Sequence, residues 1–321
     1  MGNILPFVSI GLPVYNGQNF IKQALEDILM QTYDNFELII SDNASTDNTE
    51  AICREYEVKD KRIRYYRNKE NLGAAKNYNR VFELSRGKYF AWMNHDDLYD
   101  KQFLEKCVEG LEDNPSAILA YPKSFAIDEK GEKIDELFCD HNLDSESPYK
   151  RLRRFHDCVW EGPISQNGTK SIGIFIPIYG VIRREVLKNT RLIGSYISSD
   201  TTLLEELALL GKFYLVPIPL FYKRHHPQRS MQLHNSFAKR ILWFDPSFKK
   251  SLLFPKWRIV WEHFRSINNI NLNWKEKLYC FTEILRYIYV ERRKIVLELV
   301  VNFGQLFSIT SFKNKRPFYF D

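Results

Sequence analysis

Four short apolar segments, each closed by a cluster of small polar or charged residues, restrict the fold more than any other feature. Phe7–Val14 runs into Tyr15-Asn16-Gly17, and Phe36–Ser41 runs into the stretch Asp42 to Asp47. Ile63–Arg67 is followed by Asn68 to Gly73, and Tyr89–Met93 by Asn94-His95-Asp96-Asp97. A fifth segment, Ala117–Tyr121, completes the series. Between them lie helical patterns: one from about Asn19 with Ile21, Leu25, Ile28 and Leu29 on one face, then others reaching Tyr56, Leu84 and Glu112. A strand every roughly 27 residues, separated by helices, is the βαβ rhythm of a parallel sheet.

In such sheets ligands bind beyond the carboxyl ends of the strands, where all four polar clusters fall. Asp96 and Asp97 are the sharpest case. Adjacent carboxylates after a buried strand repel and lose hydration, and a divalent cation is a common compensation. A polar strand-to-helix loop, with Asp97 or Asp100 capping the next helix, is the plainer reading. A dinucleotide fold would need Gly-x-Gly-x-x-Gly after the first strand, where the chain has Pro13-Val-Tyr-Asn-Gly17. That disfavours a dehydrogenase, and no Walker A sequence is present.

The 321 residues suffice for one large or two modest domains. The formal charge is +6, and from Lys256 onward 12 Lys/Arg face 6 Asp/Glu, so 12 − 6 = +6 places the whole excess in the tail. Neither zinc-finger spacing nor an RNA-recognition signature accompanies it, which argues against nucleic acid. Cys53, Cys107, Cys139, Cys158 and Cys280 are scattered and odd in number, as free thiols in a reducing compartment would be. Without a visible signal peptide or an apolar run long enough to span a bilayer, the expectation is a cytoplasmic protein.

Leu12-Pro-Val-Tyr-Asn16, Gln31-Thr32-Tyr33, Glu37-Leu-Ile-Ile-Ser-Asp-Asn-Ala-Ser-Thr-Asp47, Asn71-Leu-Gly73 and Gly87-Lys-Tyr89 with Asp96-Asp97 resemble glycosyltransferase family 2. The likeness is dense over about 7–125 and sparser to about Ser230. It implies an α/β GT-A fold, a Rossmann-like, mostly parallel sheet flanked by helices. It also implies a nucleoside-diphosphate sugar as donor, with UDP favoured, a bound Mn²⁺ or Mg²⁺, and inversion at the anomeric carbon. By that resemblance Pro13, Val14 and Tyr15 wall the base and ribose with Asn16, and Asp42 accepts a hydrogen bond from the base. Ser45, Arg67, Asn71, Gly73, Asn77 and His95 fall in the donor-binding segments. Asp96 or Asp97 holds the metal, while Asn94 stands where many members carry an aspartate and is a neutral neighbour.

Farther on the pattern loosens. Asp128-Glu-Lys-Gly131 reads as a hairpin turn. Lys150-Arg-Leu-Arg-Arg154 reads as a solvated helical face, or else as an anchor for an acidic acceptor. Trp160 to Pro163 and Gln166 to Gly168 suggest a loop near the acceptor. Asp200 precedes a helix closed by Gly211 and, by the resemblance, is the catalytic base; Thr202-x-x-Glu205 offers that helix a capping box of its own. Lys223-Arg-His-His-Pro-Gln-Arg229 brings His226 as a metal ligand and Arg229 as a diphosphate contact, against an exposed loop without a ligand. From about Pro246, aromatic and basic residues at helical spacing suggest packing, homo-oligomer contact or docking on anionic lipid at the inner face of the membrane. The expected organisation is a catalytic domain over 1–245 (donor half about 1–125, acceptor half about 126–245) and a helical region over 246–321. The expected activity is metal-dependent sugar transfer to a glycan or lipid-linked acceptor in surface polysaccharide assembly. A non-catalytic nucleotide-sugar or glycan-binding protein on the same fold is the alternative.

Overall fold

The computed structural model describes residues 7–137, 143–161, 172–234, 236–249 and 253–306. Cys139 and most of the loop suggested for the acceptor, Gly162 to Gly168, lie outside the described residues. The chain opens with strict alternation: β1 (Val8–Val14), α1 (Ile21–Leu29), β2 (Phe36–Asp42), α2 (Thr49–Lys59), β3 (Ile63–Arg67), α3 (Ala74–Glu83) and β4 (Tyr89–Trp92). All seven residues of β1 and all seven of β2 are buried, because helices cover both faces of the sheet. The helix α1 turns Ile21, Ala24, Leu25 and Ile28 inward, at the spacing read from the sequence. These strands lie parallel in the order β3-β2-β1-β4.

The second half is mixed. A short β5 (Leu98–Tyr99) and α4 (Phe103–Asp113) lead into the hairpin of β6 (Ala117–Ile127) and β7 (Lys133–Leu137). Its turn is the expected one: Asp128 Oδ1 accepts from the Lys130 and Glu132 amides, and Gly131 takes φ +93°. Next come α5 (Pro148–Glu161), a 3-10 helix (Ile172–Tyr179), β8 (Val181–Arg183), α6 (Arg184–Leu187), α7 (Ser199–Leu210) and β9 (Lys212–Arg224). The strand β6 is not the neighbour of β4. The antiparallel β8 lies between them, and β9 and β5 extend the sheet beyond β6. The result is a GT-A-type α/β sheet, parallel at one end and mixed at the other.

The chain continues through α8 (Ser230–Leu233), α9 (Phe237–Phe244), α10 (Pro255–Asn269) and α11 (Trp274–Leu306). The last two pack on α5 and α7 through a small core of Leu152, Leu209, Ile267, Ile270, Cys280 and Ile284. The expected apolar stripe packs only in part, with Val260 and Ile288 lying against that core. Trp257, Trp261, Phe264, Leu285, Tyr289 and Phe303 face outward, while Glu262, His263, Ser266, Glu283, Glu298 and Asn302 are buried. On α5 the basic run is exposed at Lys150, Arg153 and Arg154, as a solvated face would be, and departs from that expectation at Arg151. Arg151 is buried and donates from Nε to Ala208 O at 2.7 Å and from Nη2 to Leu209 O at 2.9 Å, satisfying the last carbonyls of α7. Arg153 pairs with Glu283 of α11 at 3.0 Å. Among the described residues no helix is long and apolar enough to cross a membrane.

Candidate active site

The loops after β1 and β2 are tied together by polar side chains. Ser45 Oγ accepts from the Asn16 amide at 2.9 Å, and Asn16 Oδ1 accepts from the Thr46 amide at 2.8 Å. Asn16 (φ +52°) and Ala44 (φ +63°) both adopt left-handed backbone here, a conformation concentrated at ligand clamps and tight turns. Pro13 and Val14 are buried, whereas Tyr15 is 44% exposed and can meet a planar base. Gly17 packs where a Cβ would stand 2.7 Å from the His95 ring, which brings the first loop against the fourth.

Asp42, expected at the base edge, is held by neighbouring groups of the chain. It is fully buried, and its oxygens accept from the Ser45 amide (2.8 Å), the Tyr65 hydroxyl (2.6 Å) and Arg67 Nη1 (3.1 Å). A carboxylate committed in this way anchors Arg67, which also donates to Ser45 O and pairs with Glu50 at 3.2 Å. Asn77 is likewise inward: its amide spans Ser41 and Asn68. Asn71 Oδ1 accepts from the Gly73 amide and from Asn43. Asn43, which the sequence did not single out, holds Asn68, Leu72 and Asn71 together.

The cluster after β4 separates its two carboxylates. Asp97 has no exposed surface, and it accepts from Asn94 Nδ2 (2.8 Å), Lys223 Nζ (2.8 Å) and the Arg224 amide (3.0 Å). Burial pushes its carboxyl up, Lys223 pulls it down, and Asp96 adds to the rise. Of the two carboxylates expected to share the metal, Asp97 is the one whose oxygens are already engaged, by Asn94, Lys223 and the Arg224 amide. Asp96 retains 16% side-chain exposure, and its Oδ2 lies 3.1 Å from His226 Nε2. Burial works to raise its carboxyl, but His95, His226 and Lys223 overcome it and hold it well below the usual range. The His226 ring lies 4.4 Å from the Phe20 ring at a tilt of 53°, and its Nδ1 is buried without a hydrogen-bond partner. A hard oxygen and an imidazole facing each other at the sheet's mouth fit Mn²⁺ or Mg²⁺. Asn94 serves as the neutral bridge, accepting from Tyr78 Oη at 2.7 Å while donating to Asp97.

Asp200 lies in the first turn of α7 and is half-buried. Burial pushes its carboxyl up, opposed by the Thr201 amide and by the charge of Lys223. Lys223 therefore acts on Asp96, Asp97 and Asp200 alike, and it lies 4.6 Å over the Tyr179 ring. Arg229 borders the same loop, with its Nε buried and lacking a hydrogen-bond partner. The capping box is not formed: Thr202 lies inside α7, and Glu205 turns away to His263. Lys223, Tyr78 and Tyr179 were missed by sequence reasoning. The one available signal was Lys223 and Arg224 next to the paired histidines.

This geometry can be set beside known proteins. Residues 9–190 match Glycosyl transferase family 2. An uncharacterized glycosyltransferase of Rickettsia felis is 39% identical over 133 residues, 40% of this chain and 21% of that protein. TuaG of Bacillus subtilis, provisionally named for teichuronic acid biosynthesis, is 38% identical over 109 residues, 34% of this chain and 43% of its own. The chain thus spans less than half the length of these curated relatives. The structure of S. aureus TarS 1-349 in complex with UDP-GlcNAc superposes with a TM-score of 0.62 at 16% identity, covering 88% of this chain and 72% of TarS, which shows a shared fold. With more than half of its length matched, the chain belongs to glycosyltransferase family 2.

Proposed function

We propose that the protein transfers a sugar, with inversion, from a nucleoside diphosphate to an acceptor hydroxyl during assembly of a surface glycan. UDP is the favoured nucleotide, in keeping with the UDP-GlcNAc bound by TarS, and the name of TuaG supports a cell-surface polymer as acceptor. One observation carries the reading: Asp96, His226, Lys223 and Asp200 form one electrostatic cluster around the carboxyl ends of β4 and β9.

In this reading Tyr15 and Asn16 receive the nucleoside, while Arg67, held by Asp42, lines the donor loop. Asp96 and His226 would hold Mn²⁺ or Mg²⁺. A divalent ion there supplies positive charge to the departing diphosphate. Lys223, and Arg229 from the following loop, add fixed positive charge on the same side, preorganised before the donor arrives. Asp200, its carboxyl raised by burial, takes the acceptor proton as that oxygen attacks from the opposite face. Ionised Asp200 is the active form, so the acid limb of kcat begins above the ordinary carboxylate range. The outward aromatic stripe of α10 and α11, within the stretch from Lys256 onward that carries the +6 excess, docks on an anionic lipid surface that presents the acceptor.

Asp200→Asn tests the assignment. It keeps the side-chain shape and removes the basicity, a contribution of about 10²–10⁴ in rate. Donor binding should persist while labelled UDP-sugar transfer falls at least about a hundredfold. Transfer at the unsubstituted rate would remove Asp200 from the chemistry.

A further inference from the structure

We infer that the protein holds a second divalent-metal site, away from the donor loops, at the junction of α5, α7 and α10. Its ligands are His156, Glu205 and His263, with Glu283 of α11 alongside. The exposures are 2%, 0%, 5% and 0%, so four titratable side chains from four helices converge in the interior, beside the small core of Leu152, Leu209, Ile267, Ile270, Cys280 and Ile284. One ligand atom from each of His156, Glu205 and His263 lies within 4.8 Å of the others. Glu205 and His263 already share a hydrogen bond, His156 Nδ1 lies 3.5 Å from Glu283 Oε2, and the two imidazole rings stand 5.3 Å apart.

The atoms left over point to a ligand. Glu205 Oε1 and His263 Nε2 are buried without hydrogen-bond partners, while Glu283 Oε2 has only His156 Nδ1 and Arg286 Nη1 near it, each at 3.5 Å. Such orphans are rare in folded proteins and call for an explanation, of which an ion is one. The set of two imidazoles and a carboxylate, with a second carboxylate in reach, is the donor type of a zinc or related first-row ion. Two ligand atoms each about 2.1 Å from an ion are at most about 4.2 Å apart, so a spread of 4.8 Å closes by small side-chain rotations. The site is distinct from the donor site. Asp200 opens α7 at the sheet's mouth, whereas Glu205 lies more than a turn farther along and faces the C-terminal helices. An ion here would fasten α10 to the helix that carries Asp200.

The test uses the full-length chain, stripped with EDTA, carrying Asp96→Asn and His226→Gln so that the donor site is removed. Titrating Zn²⁺ against a chromophoric chelator should show one equivalent bound and a rise in melting temperature. Co²⁺ should give the visible absorption of a four- or five-coordinate ion. Adding His156→Gln or His263→Gln should weaken binding by at least about tenfold and abolish the cobalt spectrum. Should a combination fail to fold, Zn²⁺ stoichiometry in otherwise unsubstituted chains decides: His156→Gln or Glu205→Gln should lower it by one equivalent. The inference is overturned by no uptake once Asp96 and His226 are replaced, or by uptake indifferent to His156, Glu205 and His263; the cluster would then be a hydrogen-bonded clamp only. None of these readouts involves sugar transfer, so the inference can fail without the proposed activity failing, and the converse.

Discussion

Asp97 offers the sharpest test of how the site is built, because the two assignments it can carry predict opposite phenotypes. Its carboxylate has no exposed surface and meets Lys223 Nζ at 2.8 Å, with Lys223 itself 25% exposed. Removing one partner of a buried pair costs about 3–5 kcal/mol, because the other is left uncompensated. Partial hydration of Lys223 puts Asp97→Asn at the lower end, about 3 kcal/mol. At about 2–4 °C per kcal/mol for a domain of 150–250 residues, the melting temperature should drop by roughly 6–12 °C. Lys223→Met leaves the fully buried Asp97 behind and should cost as much or more.

The double variant Asp97→Asn/Lys223→Met removes both charges, so its loss should fall short of the sum of the two single losses by about 1 kcal/mol or more. Circular dichroism melts give the stabilities, and calorimetric titration with Mn²⁺ gives metal affinity for each folded variant. Were Asp97 a metal ligand, Asp97→Asn would melt like the unsubstituted protein and lose Mn²⁺ affinity outright. That result, or additive single and double losses, would refute the pairing argument.

Asp96→Ala should abolish Mn²⁺-dependent binding of a UDP-sugar, and EDTA should abolish transfer in the unsubstituted chain; full activity in chelator would move the metal elsewhere. Gly73→Ala should destabilise by about 1–3 kcal/mol in urea melts, since the residue holds φ +84° and a Cβ there would lie 2.5 Å from Phe244 O. Burial pushes Glu298 from 4.5 up to about 7, so its folded form binds a proton more tightly than its unfolded form. Its stabilising contribution is present below about pH 4.5 and is lost as pH rises through about 7, so Glu298→Gln should gain on the parent from about pH 5 to about pH 8. A melting-temperature difference constant across that range would contradict this.

The alternating half of the fold was legible because both its signals are local. Uncharged strands such as Tyr89–Trp92, and helix faces such as Ile21, Leu25 and Ile28, repeat at their own periods. The mixed half was not. The strand β8 has three residues, too few to show alternation, and β9 carries Pro217 and Pro219, which argue against a strand. The sheet accommodates those prolines with register shifts between Pro122 and Ser124 on β6. Adjacent carboxylates look alike in a sequence, yet the loop between β4 and β5 separates them: Asp96 meets His226, and Asp97 meets a lysine 126 positions away. The tail stayed open between packing, oligomer contact and lipid docking for a related reason. Hydrophobic spacing identified the faces of α10 and α11 without saying which of them turned inward.

The helix α7 explains why the inward face of the tail is polar. Its first turn holds Asp200, its middle holds Glu205 against His263 and Glu206 against Arg191, and its last carbonyls are held by Arg151. Arg191 also pairs with Glu262 of α10 and donates to Ser266 Oγ at 2.7 Å. A greasy interface would bind α10 with less desolvation cost, but it would tolerate sliding by a turn. Charged partners buried on both sides allow one register, because any slip leaves an ion without its mate. A general base must be held within a fraction of an ångström of its proton. The C-terminal helices therefore contribute to the proposed chemistry without touching it: they fix the far side of the helix whose near end presents Asp200.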